Sequence, residues 1–258
     1  MIKRIILVLF LCLLSPIILA KASQQNITLR VGVPAFPPFA YMDEDQQLVG
    51  TLVTYFDYLK QDTGINFELV LYPYARVISG IKQGKLDVAM LFKNDLLEGY
   101  ADYIGPISKS KVIVLPLAGS NLYTYQQLYL LGRIAVIRGA RFDRQFDRDT
   151  QLSKMKVNDY LQGVKLLELK RVNAIVGSVV GLDYNLRLIG KDFSDFGEPF
   201  ELIEQESWLH FSKQSQHRNI ISKLQAAVKA RYQPDLLHDI YTGAYQLDRD
   251  MVDPKNNK

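Results

Sequence analysis

Reactive sulfur is nearly missing from this sequence. The one cysteine, Cys12, stands in an apolar run near the start. With that run removed no cysteine is left, which excludes a disulfide framework and cysteine-based metal or nucleophile chemistry. Histidine is scarce as well. His210, His217 and His238 all fall towards the C-terminal end, with no spacing that suggests a triad or a metal site. No zinc-ligand spacing, P-loop or nucleophile elbow appears, so no cofactor, metal or catalytic residue is expected. An excess of one charge is also lacking. The chain carries 31 basic and 27 acidic residues, but Lys3, Arg4 and Lys21 lie in the first 22; without them 28 face 27, a net of +1. That leaves no field to favour nucleic acid or an anionic membrane.

What is present begins with an export signal. Lys3 and Arg4 form a basic head, Ile5 to Leu19 is almost wholly apolar, and Ala20-Lys21-Ala22 offers a small-x-small cleavage site. This is the layout of a secretory signal peptide, cleaved after Ala22. The run is short for a membrane span of ~20 residues, and Pro16 interrupts it. Leu11 is too large to precede a lipidated cysteine, and apolar sequence continues past Cys12, so no lipid anchor is expected. The predicted destination is the periplasm. The remainder, in a chain 48% hydrophobic and 22% charged, has ordinary globular composition and length for one large domain or two small ones.

Ile27, Leu29, Val31 and Val33 alternate as in a strand. Leu52, Val53, Phe56 and Leu59 recur at helical spacing, and Gly64 is expected as the C-cap. Phe67, Leu69 and Leu71 alternate again. A short helix is expected over Ala75–Gln83, and "LDVAMLF" (86–92) reads as a strand buried on both faces. The order β-α-β-α-β implies a parallel sheet covered by helices. A further apolar run, "VIVLPLA" (112–118), leads out of that unit. The pattern then restarts with the strand "GRIAVIRGA" (132–140). A helix over Asp159–Lys170 follows, with Asn158 as N-cap, and then the strand "NAIVGS" (173–178). The tail holds a strand around Trp208–Ser212 and helices over Asn219–Tyr232 and Leu236–Tyr245.

Open parallel sheets place ligands outside the carboxyl ends of their strands. Five segments fall at such ends: the aromatic loop 34–41, "YPYAR" (72–76), "FKND" (92–95), "RGARF" (138–142) and "GSVVG" (177–181). The loop is the oddest of them. "RVGVPAFPPFAYM" (30–42) breaks a strand with adjacent prolines and then places two phenylalanines and a tyrosine where regular structure is barred. Such rings either fill a core or line a cleft.

Taken together, strand–"PPF"–turn–"G", "PYAR…GKLD", "GRIAVIRGA" and "LKRVNAIVGS" resemble the bacterial extracellular solute-binding proteins of family 3. The resemblance covers essentially the whole chain after the signal. It implies an α/β fold of the type II periplasmic binding protein kind, with two lobes joined by crossover strands and a ligand cleft between them. Residues 23–115 would form the first part of lobe 1, 116–202 lobe 2, and 203–258 the completion of lobe 1. Family members sandwich their ligand between two aromatics; Phe36, Phe39 or Tyr41 matches the first and Tyr74 the second.

Departures from the family pattern bear on the ligand. Amino-acid binders carry hydroxyl residues and an arginine after the third strand to clamp the α-carboxylate. Here the hydroxyl positions hold Leu91 and Phe92, and the arginine position falls on Glu98 or Gly99. The aspartate that holds an α-ammonium corresponds to Ser178. Arg76, Arg138 and Arg141 are the alternative cations near strand ends. The resemblance with these departures implies a small polar solute, a pocket without the usual clamp, and a monomer serving an ABC permease or a membrane receptor in trans. Two other readings stay open: a sensor or adaptor working through a membrane partner, and a periplasmic cyclohexadienyl dehydratase with Glu98 as acid and Arg76 or Arg138 as carboxylate clamp.

Overall fold

A computed structural model describes residues 27–244. The signal segment expected at 1–22, and Tyr245 at the end of the last expected helix, lie outside the described residues. Alternation produces β1 (Thr28–Pro34), in which Leu29, Val31 and Val33 are fully buried. The polar turn at 43–47 joins two short strands, β2 (Tyr41–Met42) and β3 (Leu48–Val49), which pair antiparallel. Helix α1 (Thr51–Thr63) buries Leu52, Tyr55, Phe56 and Leu59. Gly64 ends it in the left-handed conformation, its N–H donating to the Lys60 carbonyl at 2.8 Å.

β4 (Asn66–Tyr72), α2 (Tyr74–Lys82) and β5 (Val88–Phe92) complete the first unit. β1 lies between β4 and β5 and is parallel to both. The second unit repeats the arrangement. It consists of β7 (Arg133–Ile137), α3 (Arg144–Arg148), β8 (Ser153–Val157), α4 (Tyr160–Glu168), β9 (Ala174–Ser178) and α5 (Val179–Leu188), with β7 parallel to both β8 and β9.

Two long strands connect the units. β6 (Ala101–Pro116) and β10 (Phe200–Ser212) pair antiparallel along most of their length. The continuous ladder runs β4-β1-β5-β10-β6-β9-β7-β8. The boundaries expected at 115/116 and 202/203 thus fall at the last residue of β6 and within β10. Register shifts interrupt the β6–β10 pairing near Glu201, Ser207 and Leu209. Helices α6 (Ile221–Arg231) and α7 (Leu236–Thr242) return to the first unit, where Leu224, Val228 and Leu236 share a core with Leu52 and Phe56. Arg231 also pairs with Asp62 of α1.

The structure corrects the sequence reading in several places, among them the unexpected α3 and the start of β10 at residue 200 rather than near 208. β6 begins at residue 101 rather than near 112. β8 and α5 were not expected at all. The N-cap of α4 is Asp159, not Asn158: its side chain accepts the Gln162 N–H at 2.7 Å, while the Asn158 N–H donates to the Gln162 side chain.

Three apolar clusters result. One lies in the first unit and another mainly in the second. The third crosses between the units, joining Phe36, Tyr74, Val77 and Leu97 to Ile137, Tyr160, Val164 and Leu182.

Candidate functional site

The aromatic loop is held by α1. The N–H groups of Thr51 and Leu52, unpaired within the helix, donate to the carbonyls of Pro38 and Phe39 at 3.1 and 2.8 Å. Gly50 stands just before them at φ 127°, where a Cβ would meet those same two carbonyls. The Pro37–Pro38 bond is cis. So anchored, the loop directs Phe36 into the space between the units. Its ring stacks on Tyr74 of α2, with centroids 5.9 Å apart and 16° between planes. It also meets Tyr160 of α4 at 5.6 Å and 57°.

A cavity of about 70 Å3 adjoins these rings. Phe36, Phe39, Tyr74, Phe92, Phe142 and Tyr160 supply its aromatic walls, with Met90, Leu91, Ile137 and Ala140 among the rest. Ser110 of β6, Ser207 of β10 and Ser178 of β9 also line it. The Tyr74 hydroxyl accepts from the Asn94 amide at 3.4 Å, and Asn94 itself is fully buried. The Tyr160 hydroxyl accepts the Ser178 N–H at 3.2 Å, and Ser178 Oγ caps α5 by accepting the Gly181 N–H. Burial pushes the Tyr74 phenol well up, partly offset by the Asn94 hydrogen bond, and burial likewise raises Tyr160.

The units also touch at the cavity's edges. Arg141 Nε lies 3.2 Å from Asp95 Oδ1. The Asn185 amide donates to the Pro37 carbonyl at 3.0 Å. Tyr41 packs on Tyr184 at 5.8 Å between ring centroids. Gly139 comes close enough to Ala75 that a Cβ on it would stand 3.4 Å away.

The residues singled out from sequence divide accordingly. Phe36, Phe39, Tyr74, Phe92 and Ser178 line the cavity together. Tyr41 stands outside it, bridging to α5. Arg141 is turned to Asp95. Arg76 is exposed and lies over the Tyr72 ring at 5.5 Å. Arg138 is exposed and forms no part of the lining. Glu98 is exposed because the chain turns outward after β5, through a 3-10 turn at Asp95–Leu97. It borders a separate hollow beside Trp208, in which Lys93 sits over the Tyr103 and Trp208 rings at 5.1 and 4.6 Å. Sequence reasoning missed Tyr160, Ser110 and Ser207, and it placed the segment 138–142 at a strand end without naming Phe142. Tyr160 follows the carboxyl end of β8, so recognising that strand would have pointed to it.

Two α/β units, joined by paired crossover strands and meeting over a cavity at their strand ends, define a type II periplasmic binding protein. The chain belongs to the bacterial extracellular solute-binding proteins, family 3, whose profile matches residues 29–244. It is thus a solute-binding protein of an extracellular family. Solved structures share the fold at low identity. An ancestral arginine-binding protein bound to arginine is 19% identical, with a TM-score of 0.68, covering 85% of this chain and 98% of its own. A histidine kinase sensor domain with similarity to periplasmic binding proteins is 14% identical, with a TM-score of 0.71 and coverage of 84% and 95%. A double mutant of the Bordetella pertussis BvgS VFT2 domain is 17% identical, with a TM-score of 0.65 and coverage of 84% and 92%. No curated protein matches the chain.

Proposed function

We propose that this chain captures one small solute in the aromatic cavity between its lobes and presents the closed form to an ABC permease or a membrane receptor supplied in trans. Lobe 1 would comprise residues 23–115 and 203–258, and lobe 2 residues 116–202, in a monomeric exported protein. One observation carries the reading: Tyr74 of one unit and Tyr160 of the other line the same cavity, with Phe36 between them, so an occupant there would contact both units and favour their closed arrangement. The pocket lacks the amino-acid clamp. Its polar groups are the hydroxyls of serine and tyrosine and the backbone, and Arg76, Arg138 and Glu98 stand outside it. The dehydratase alternative therefore has no carboxylic acid facing the cavity among the described residues.

The sensor or adaptor reading has support of its own. The units clasp each other directly, through Arg141 with Asp95, Asn185 with Pro37, and Phe36 between two tyrosines. A partner that reads the closed shape would find it built from protein contacts.

Thermal unfolding of the purified protein against amino acids, polyamines, dicarboxylates, prephenate and neutral aromatic alcohols tests capture. A ligand at ~100-fold over its dissociation constant adds ~2.7 kcal/mol, which raises the midpoint by roughly 5–10 °C. A flat response across the panel overturns solute capture and favours the partner-surface reading.

A further inference from the structure

We infer that the cavity selects an uncharged, largely apolar small molecule with a ring and a single hydroxyl or carbonyl, and rejects carboxylates and ammonium ions of the same shape. The inference rests on solute capture and names the class of solute.

No aspartate, glutamate, lysine, arginine or histidine lines the cavity among the described residues. Arg141 stands in sequence between the lining residues Ala140 and Phe142, and its guanidinium already faces the Asp95 carboxylate. An ion entering this space would lose its water and meet no unpaired counter-charge in the lining, an arrangement proteins avoid. Burial is the main cause that raises the Tyr74 and Tyr160 phenols, and at Tyr74 the Arg141 and Asp147 charges add smaller, opposed effects.

The walls also show what they accept. Phe36 already places an aromatic ring against both tyrosines, stacked on one and tilted on the other, in geometries aromatic pairs prefer. Apolar cavities of about 150 Å3 take up benzene; this one, at about 70 Å3, admits a ring once the lobes part or Phe36 moves aside. The lining serines at positions 110, 178 and 207 come from three strands and are the neutral residues able to hydrogen-bond an occupant, Ser178 while its Oγ also caps α5.

Isothermal titration calorimetry with benzyl alcohol, benzoate and benzylamine separates charge from shape, since the three are nearly isosteric. Benzyl alcohol is expected to bind at least about tenfold more tightly than either ion, a difference of about 1.4 kcal/mol. Equal or tighter binding of benzoate or benzylamine overturns the neutral class and leaves solute capture standing. No heat from any of the three also overturns the class, whereas capture itself falls only if the wider thermal panel is flat too. Ser178→Asp provides an internal control. Aspartate also caps a helix, so α5 keeps its N-terminal hydrogen bond while the cavity gains a carboxylate. The variant is expected to bind benzylamine in preference to benzyl alcohol. An unchanged order would show that lining charge does not set selection and would overturn the proposal.

Discussion

The rings of Phe36 and Tyr74 lie 5.9 Å apart and nearly parallel, which leaves no layer for a third group between them. Carbon atoms in contact stand about 3.5–4.0 Å apart, so a sandwiched group would require its flanking rings to be at least about 7 Å apart. In this structure, Phe36 therefore fills the space between Tyr74 and Tyr160. Phe36→Ala is expected to cost about 3 kcal/mol, the lower end for a buried phenylalanine because a cavity already adjoins the ring. Urea unfolding measures that cost. The same variant should bind benzyl alcohol more tightly than wild type, because the ring that blocks the slot is gone.

The Tyr160 hydroxyl accepts a buried backbone N–H from Ser178. Tyr160→Phe keeps the ring and leaves that donor without its partner. A loss of about 1–3 kcal/mol is expected. Chemical denaturation that shows no loss would mean that the hydrogen bond contributes nothing to joining α4 and β9.

Arg141 and Asp95 bridge the two units, with side chains 36% and 57% exposed. Exposed pairs of this kind contribute under ~1 kcal/mol. A double-mutant cycle with Arg141→Ala and Asp95→Ala should give a coupling energy within that limit. Their larger effect is expected on lobe separation. Small-angle scattering of Asp95→Ala should show a greater radius of gyration than wild type.

His210 is fully buried in β10, its Nδ1 3.0 Å from the Trp208 carbonyl. Burial, with the nearby Lys93 ammonium adding to it, pushes its pKa down to about 4. The unfolded chain takes up that proton near pH 6.5, so stability is complete above that value and falls as pH drops towards 4. The loss is on the order of 3 kcal/mol. Asp147 acts in the opposite sense: burial lifts its carboxyl to about 6, and it gains stability as pH falls from there. The total profile mixes the two. Subtracting the stability curve of His210→Gln from that of wild type isolates the histidine, and the difference should slope only between pH 6.5 and 4.

Local signals made the first unit legible. Alternation in β1, the stripe of α1 and Gly64 at its end each reflect one nearby physical cause, and the structure repeats them. The start of β6 was hidden because Gly105 and Pro106 sit within it, and both read as breakers. The strand tolerates them where its pairing with β10 is irregular, close to Trp208. β8 was hidden because its sequence, SKMKV, carries lysines at alternate positions, as suits a strand at the sheet edge. Missing β8 removed one strand end from view, and Tyr160 with it. The segments that carry Phe36, Phe39, Tyr74, Phe92 and Ser178 were placed at strand ends by topology, and the family resemblance singled out Phe36, Phe39, Tyr74 and Ser178 within them. The positions of Arg76, Arg138 and Glu98 did not follow from either, because side-chain direction depends on turns that alternation does not encode.

Ser110 and Ser207 come from β6 and β10, the two strands that pass between the units, and both reach the cavity wall. An occupant hydrogen-bonded there would rest on the axle itself. A shift of a fraction of an ångström at that point, beside the register slip at Ser207, would be magnified across the full radius of each unit. Such a cleft would report its contents by leverage, with the smallest motion at the ligand and the largest at the rims.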